Sequence, residues 1–300
     1  MTKKLFASLA LALSLLVPEF PAAAPFEAGA LQVEQVSSEG PAIVFIPGLA
    51  SGPWVWSDTA ARLRGKYSIY LVTLPGFDGT KPVAGATLES LSRDLAALIE
   101  TRGIQRPVLV GHSLGATLSL AFAADHSGLI AGVVAVDGLP VFPGTEGMTG
   151  DRSALGARIR AQFAGQTPEQ FAQGQQAYMK RIGSVDEATA MKLAASTSRS
   201  DIGATADFAA QAMTVDLRPR LASIKVPVVE ISPFNAPDFA AMGIDEARKT
   251  EYYRMLLAGT GNLEVISIAG ARHFVMFDQP EKFAAALDRA LASMAEVSPR

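Results

Sequence analysis

Cysteine is absent from the 300 residues. Disulfides, thiolate metal sites, a cysteine nucleophile and lipid attachment through a thiol are therefore excluded, and core packing alone must hold the fold. Histidine is scarce, with three residues, so imidazole chemistry has few places to reside. Charge is sparse too, at 18% of residues against a 49% hydrophobic fraction, which suits a packed globular chain rather than a disordered one. Neither sign dominates: 26 Lys and Arg oppose 29 Asp and Glu. No basic cluster stands ready to neutralise phosphates, so no nucleic-acid partner is expected. No group of His, Asp and Glu has ligand spacing, so neither a metal nor another cofactor is expected.

Long apolar runs are lacking after the N-terminus. At the N-terminus itself, Lys3 and Lys4 precede an apolar stretch, residues 5–17, closed by Pro18 and followed by Ala22, Ala23 and Ala24. This is the layout of a secretory signal peptide, and the stretch is too short to span a bilayer comfortably. The expectation is removal of residues 1–24, with Ala28-Gly29-Ala30 offering a second cleavage point that would extend the leader to 30. The remaining chain would be exported, periplasmic or secreted, with no stable membrane span.

What the sequence does have is a rhythm. Short apolar runs at 42–46, 68–72, 107–110, 132–136, 226–231 and 263–268 read as strands, and 31–36 as an early edge strand. Most are continuous Val, Ile and Leu runs, as expected where helices cover both faces of a parallel sheet. Between them lie helical patterns, notably 88–101 with Leu91, Leu95, Leu98 and Ile99 on one stripe, and 280–294 with Phe283, Leu287, Leu291 and Met294. Asp278 and Pro280 read as start signals for the latter. Alternating strands and helices predict an α/β fold with a doubly wound, mostly parallel sheet. Residues 141–219 break the rhythm. They contain helix-like segments and no convincing strand, and the stretch is too long for a loop. The expected organisation is a core of residues 25–140 and 220–300 with a helical cap, residues 141–219, inserted between the two parts.

The strongest chemical signal is Gly111-His112-Ser113-Leu114-Gly115, a G-x-S-x-G sequence directly after an apolar strand and directly before an apolar helix-like run. A sharp turn there lifts the serine hydroxyl off the sheet, and side chains at 111 or 115 would collide with neighbouring backbone. Ser113 also stands at a helix N-terminus, where N–H groups favour developing negative charge. A serine hydroxyl needs a base. His112 adjoins Ser113, and its side chain should turn away from the hydroxyl. His126 should lie at the end of the following helix. His273 remains, in a loop just past the last strand, at the strand end where α/β sheets gather site residues.

With these residues in view, the chain resembles the α/β-hydrolase superfamily, in particular its lipase- and esterase-like branch with a helical cap. Phe45-Ile46-Pro47-Gly48-Leu49-Ala50 resembles the family's oxyanion loop, with Pro47 where the family usually carries histidine. Trp54-Val55-Trp56, Leu74-Pro75-Gly76-Phe77-Asp78-Gly79, and His273-Phe274 followed by Asp278-Gln279-Pro280-Glu281 resemble further signatures. The resemblance implies Ser113 as nucleophile, His273 as general base, and the backbone N–H groups of Leu49 and Leu114 as the oxyanion hole. Trp54, Trp56 and Phe274 would lie near the substrate. For the acid it points to the loop after the strand at 226–231, where Asp238 is the available carboxylate. In some members the acid follows the preceding strand, and here that position is Asp137. The implied activity is hydrolysis of small or medium acyl or aryl carboxylic esters, a small-molecule substrate class, through an acyl-enzyme. Perhydrolase, lactonase or amidase chemistry with the same triad, or a non-catalytic ligand-binding homologue, is the alternative.

Overall fold

The computed structural model describes residues 24–297. The expected signal peptide, residues 1–24, lies outside the described residues except for Ala24. Eight strands form one sheet: β1 Phe26–Ala28, β2 Leu31–Ser38, β3 Ala42–Ile46, β4 Ser68–Thr73, β5 Val108–His112, β6 Gly132–Val136, β7 Val228–Phe234 and β8 Leu263–Ala269. Their order is β1-β2-β4-β3-β5-β6-β7-β8. The first two pairings are antiparallel and all others parallel. The early strand therefore sits one place in from the edge, because residues 26–28 turn back at Gly29 and pair beyond it.

Every residue of β3, β5, β6 and β7 is buried. Side chains alternate between two cores, as the strand period of two requires. In β3, Val44 and Ile46 join one cluster and Ile43 and Phe45 the other. The first cluster is roofed by α2 Leu88–Thr101 and α3 Leu114–His126. Helix α2 begins with a capping box in which Thr87 and Ser90 each accept from the other's backbone N–H. The opposite face is covered by α1 Ser57–Leu63 and, after the cap helices described next, by the C-terminal helix, whose stripe Phe283, Leu287, Leu291 and Met294 is buried there.

Between β6 and β7 no strand occurs. The insertion consists of α4 Ser153–Phe163, α5 Pro168–Tyr178, a π-helical turn Met179–Gly183, α6 Glu187–Thr197 and α7 Ile202–Thr214. It is pinched shut where it leaves and rejoins the core. Val141 bridges Asp216, the Leu217 N–H donates to the Pro140 carbonyl at 2.7 Å, and Asp216 pairs with both Arg152 and Arg218.

The rest of the core is α8 Ala236–Phe239, α9 Glu246–Leu256, α10 Val275–Asp278 and α11 Pro280–Val297. Strand β7 runs three residues past its expected end, through Pro233 to Phe234. Strand β6 pairs only as far as Ile231, so beyond it Pro233 faces no partner needing its missing N–H, while β8 continues alongside on the other edge. Asp278 also departs from expectation. Its carboxylate accepts from the Arg272 N–H (2.8 Å), the Ser184 hydroxyl (2.5 Å) and the Val185 N–H (3.2 Å), so it ties the cap to the loop before α10.

Candidate active site

Ser113 stands alone between the end of β5 and the start of α3, at φ 53° and ψ −118°. A non-glycine residue there carries strain on the order of 1–3 kcal/mol, held by its surroundings. The hold is visible. The Ser113 N–H donates to the Val136 carbonyl at 2.9 Å, and the Ser113 carbonyl accepts from the Ala116 and Thr117 N–H groups. A Cβ at Gly111 would run into the Gly115 carbonyl, and one at Gly115 into the Ile46 and Pro47 carbonyls. Strand, turn and helix can close this tightly only with glycine at both places.

Residues 47–49 press against the serine from the other side. A Cβ at Gly48 would lie 3.0 Å from the Ser113 Cβ and 2.9 Å from His112 Nδ1. Neither the Leu49 nor the Leu114 N–H has a hydrogen-bond acceptor among the described residues. Pro47 cannot brace this loop as a histidine would, and other groups do so. The Ser51 N–H donates to the Gly48 carbonyl (3.2 Å), the Ser51 hydroxyl to the Leu49 carbonyl (3.2 Å), and the hydroxyl of Ser200, just before α7, to the Ala50 carbonyl (2.9 Å).

His273 lies in the loop between β8 and α10. Its Nδ1 is 2.6 Å from Asp137 Oδ2. Asp137 follows β6 directly, at φ 46°, and its own N–H still pairs with the Ile231 carbonyl of β7. The other carboxylate oxygen accepts from the Tyr253 hydroxyl at 2.6 Å. Burial alone would raise this carboxyl's pKa. The Lys249 ammonium, the hydrogen bond and charge of His273 and the Tyr253 hydroxyl together outweigh it and hold Asp137 well below the usual carboxylate range. An ionised carboxylate can only accept, so His273 Nδ1 carries a proton, and in the neutral imidazole Nε2 keeps its lone pair.

Asp238 is not at this site. Residues 236–239 coil into α8 after the lengthened β7, and both Asp238 oxygens are taken by the Arg272 guanidinium, at 2.6 and 2.7 Å. The structure thus brings Asp137 to His273 and turns Asp238 toward the neighbouring arginine.

His112 turns away from Ser113. Its Nε2 lies 3.0 Å from the His273 carbonyl, and its ring centroid is 4.5 Å from that of His273. It is fully buried, and burial together with the His273 charge lowers its pKa to about 3, which keeps it neutral. The residue next to the serine therefore supports the backbone of the histidine loop. His126 ends α3, away from the site.

Of the three aromatic residues expected beside the substrate, Trp56 and Phe274 do not line an open space. Trp56 is 0% exposed and packs on Phe45 and Phe283; Phe274 is 2% exposed and packs on His112 at 4.6 Å. Both form the floor beneath the histidines, because the second core continues under the loop. Trp54 is half-buried and stacks on Phe274 at 6.3 Å.

A cavity of about 410 Å³ flanks the Asp137–His273 pair, lined by His273, Asp137, Tyr253 and Lys249 from the core and by Arg181 and Ile182 from the π-helical turn. Ser113 does not line it. Sequence reasoning missed Tyr253, Lys249 and Glu230. For the first two no signal existed, since α9 reads as an ordinary polar helix. Glu230 did leave one: a carboxylate inside Val228-Val229-Glu230-Ile231, an otherwise apolar strand. Among the described residues no group of three or more His, Asp or Glu could hold a metal ion, and no helix is long and apolar enough to cross a membrane.

Comparison with known proteins agrees with this architecture. The chain is 34% identical over 123 residues to a 2-(acetamidomethylene)succinate hydrolase of Mesorhizobium japonicum, a match covering 41% of this chain and 42% of that relative. The match thus spans about two fifths of that relative's length. A broader match, 24% identical over 261 residues, covers 84% of the chain and 81% of an sn-1-specific diacylglycerol lipase of Mus musculus. Among solved structures, a thermophilic esterase from Thermogutta terrifontis superposes with a TM-score of 0.70 at 19% identity, covering 88% of this chain and 93% of that one. At that identity the likeness establishes the fold. The profile of the Alpha/beta hydrolase family matches residues 43–286, and the chain belongs to that family.

Proposed function

We propose that the protein is a serine hydrolase that cleaves carboxylic esters of small molecules through an acyl-enzyme. In this reading Ser113 is the nucleophile, His273 the general base and then acid, and Asp137 the carboxylate that orients it. The carrying observation is the 2.6 Å bond between His273 Nδ1 and Asp137 Oδ2. It fixes the tautomer whose Nε2 can take the Ser113 proton. As the hydroxyl attacks the ester carbonyl, negative charge forms on the carbonyl oxygen. The unengaged N–H groups of Leu49 and Leu114 are the proposed donors to it, each worth on the order of 3 kcal/mol in the transition state. The imidazolium then gives its proton to the departing alcohol. Water, deprotonated by the same Nε2, releases the acid from Ser113.

The relative named as a diacylglycerol lipase supports ester cleavage. The relative named as a 2-(acetamidomethylene)succinate hydrolase favours a second reading, cleavage of an amide-like bond by the same groups. A fluorophosphonate probe should label the wild type and not Ser113→Ala. A panel of nitrophenyl esters, lactones and anilides then separates the two substrate classes. Absence of labelling on folded wild-type protein would remove the serine mechanism and leave a ligand-binding homologue. We further propose export, supported by Lys3, Lys4 and the apolar stretch after them; N-terminal sequencing of the protein recovered outside the cytoplasm tests it.

A further inference from the structure

The carboxylate at position 137 does not stand alone. Tyr253 and Lys249 lie one turn apart on α9 and both face it. The Tyr253 hydroxyl donates to Asp137 Oδ1 at 2.6 Å, and the Lys249 ammonium lies 4.0 Å from the same oxygen. Lys249 is itself fixed. It donates to the Ser232 hydroxyl at 3.0 Å and to the Pro233 carbonyl, both on the lengthened end of β7. Glu230, three residues before Pro233, is fully buried with neither carboxylate oxygen hydrogen-bonded.

This arrangement answers a physical need. Asp137 is 13% exposed, so water compensates little of its charge. A neutral His273 offers one N–H. Left with that alone, the carboxyl would take up a proton readily. A protonated Asp137 would donate to Nδ1, move the imidazole proton to Nε2 and leave nothing to accept the Ser113 proton. A second hydrogen bond and a fixed cation prevent this.

We propose that Tyr253 and Lys249 are positioning residues that keep Asp137 ionised and aimed at His273, and so set the lower pH limit of catalysis. The inference rests on the reading of Asp137 as the orienting acid. Its sign follows from charge. Removing either the hydroxyl or the ammonium leaves the negative charge of Asp137 less compensated, so the Asp137–His273 pair as a unit binds its proton at higher pH. The acid limb of kcat/KM then moves up.

The other groups facing the pair act around this. His112 from β5 is neutral, and Tyr178 at the end of α5 presents an aromatic edge to the His273 ring. Arg272 and Asp238 pair with each other, and Arg181 of the π-helical turn is exposed at the cavity mouth. Glu230 faces Lys249 from β7, and burial and the Asp137 charge favour its neutral form. Lys249 and Tyr253 therefore supply Asp137 with a nearby cation and a hydrogen-bond donor beyond His273.

The experiment compares kcat/KM for a nitrophenyl ester across pH in the wild type, Tyr253→Phe, Lys249→Met and Asp137→Asn. Both α9 variants are expected to shift the acid limb upward by roughly half a pH unit or more and to lower kcat about tenfold, with KM within about twofold. Unshifted acid limbs in folded variants, even with lower melting temperatures, would overturn the proposal and leave both residues purely structural. Near-normal turnover in Asp137→Asn would instead overturn the reading of Asp137 itself. Tyr253→Phe keeps the ring and decides the matter alone if Lys249→Met fails to fold.

Discussion

His273 finds its carboxylate on the strand two places away from its own in the sheet: Nδ1 meets Asp137 Oδ2, at the end of β6, at 2.6 Å, while β8 and the His273 loop flank β7. Asp137→Asn can neither hold the Nδ1 proton nor stabilise an imidazolium. It is expected to lower kcat by about four orders of magnitude with KM little changed. Asp238→Asn removes the charge that pairs with Arg272 but keeps one acceptor oxygen, and Arg272 still donates to the Lys180 and Ser184 carbonyls, so kcat should fall less than about tenfold. Steady-state kinetics on a nitrophenyl ester separates the two. Equal, mild losses would show that neither carboxylate orients the base.

Gly48 brings the loop proposed to hold the oxyanion against the proposed nucleophile, Ser113. A methyl group there would sit 3.0 Å from the Ser113 Cβ and 2.9 Å from His112 Nδ1, both in buried or strained positions with little room to give. Gly48→Ala should therefore displace the Leu49 N–H from Ser113. The expected result is a kcat lower by roughly ten- to a hundredfold at nearly unchanged KM, since the lost interaction belongs to the transition state. A variant with full kcat and only a lower melting temperature would detach this loop from catalysis.

Much of this was legible in the sequence for definite reasons. Both faces of β3, β5 and β6 are buried, so their apolar runs were continuous and bounded. The turn at Ser113 tolerates only glycine at 111 and 115, so it printed a fixed spacing. His273 emerged because the chain has only three histidines. The acid was harder. Two aspartates followed two adjacent strands, and the choice depended on where β7 stops. The apolar run was read as ending at residue 231, yet the strand continues through Pro233, which is tolerated because β6 pairs only to Ile231. That extension carries Asp238 into α8 and onto Arg272. Trp56 and Phe274 were misjudged for a similar reason: an aromatic beside a catalytic residue in sequence points to the substrate or to the core depending on packing that periodicity does not encode.

Glu230 makes a prediction about stability against pH. Burial first, and then the charge of Asp137, raises its pKa well above the ordinary value; Lys249 opposes this, and the amides of Gly138 and Asp137 offset it weakly, lying outside hydrogen-bonding geometry. A carboxyl whose pKa is raised on folding favours the folded state below its unfolded pKa and loses that contribution as pH rises through the folded value. Glu230→Met removes the group and keeps its bulk. Its melting temperature relative to wild type should therefore climb steadily from about pH 5 to about pH 8. A constant difference across that range would mean that Glu230 does not change protonation on unfolding.

Asp278 links the cap to the loop that carries His273, and its removal should be felt there. One carboxylate receives the Arg272 N–H, the Ser184 hydroxyl and the Val185 N–H, while the N–H groups of His273 and Phe274 donate to the Ile182 and Gly183 carbonyls at 3.1 and 2.9 Å. The π-helical turn and the histidine loop are thus laced together along their length. Asp278→Ala leaves the buried Ser184 hydroxyl, the part-buried Arg272 N–H and the exposed Val185 N–H without this acceptor, a loss of roughly 2–3 kcal/mol. It also frees the backbone N–H of Arg272, directly before His273. Calorimetry should show a melting temperature lower by several degrees, and kinetics below that transition should show kcat down by about tenfold, because a misplacement of about 1 Å at the base is costly. Asp278→Asn, which keeps one acceptor oxygen, should recover part of both. A stability loss without any change in kcat would show that the histidine loop holds its geometry independently of the cap.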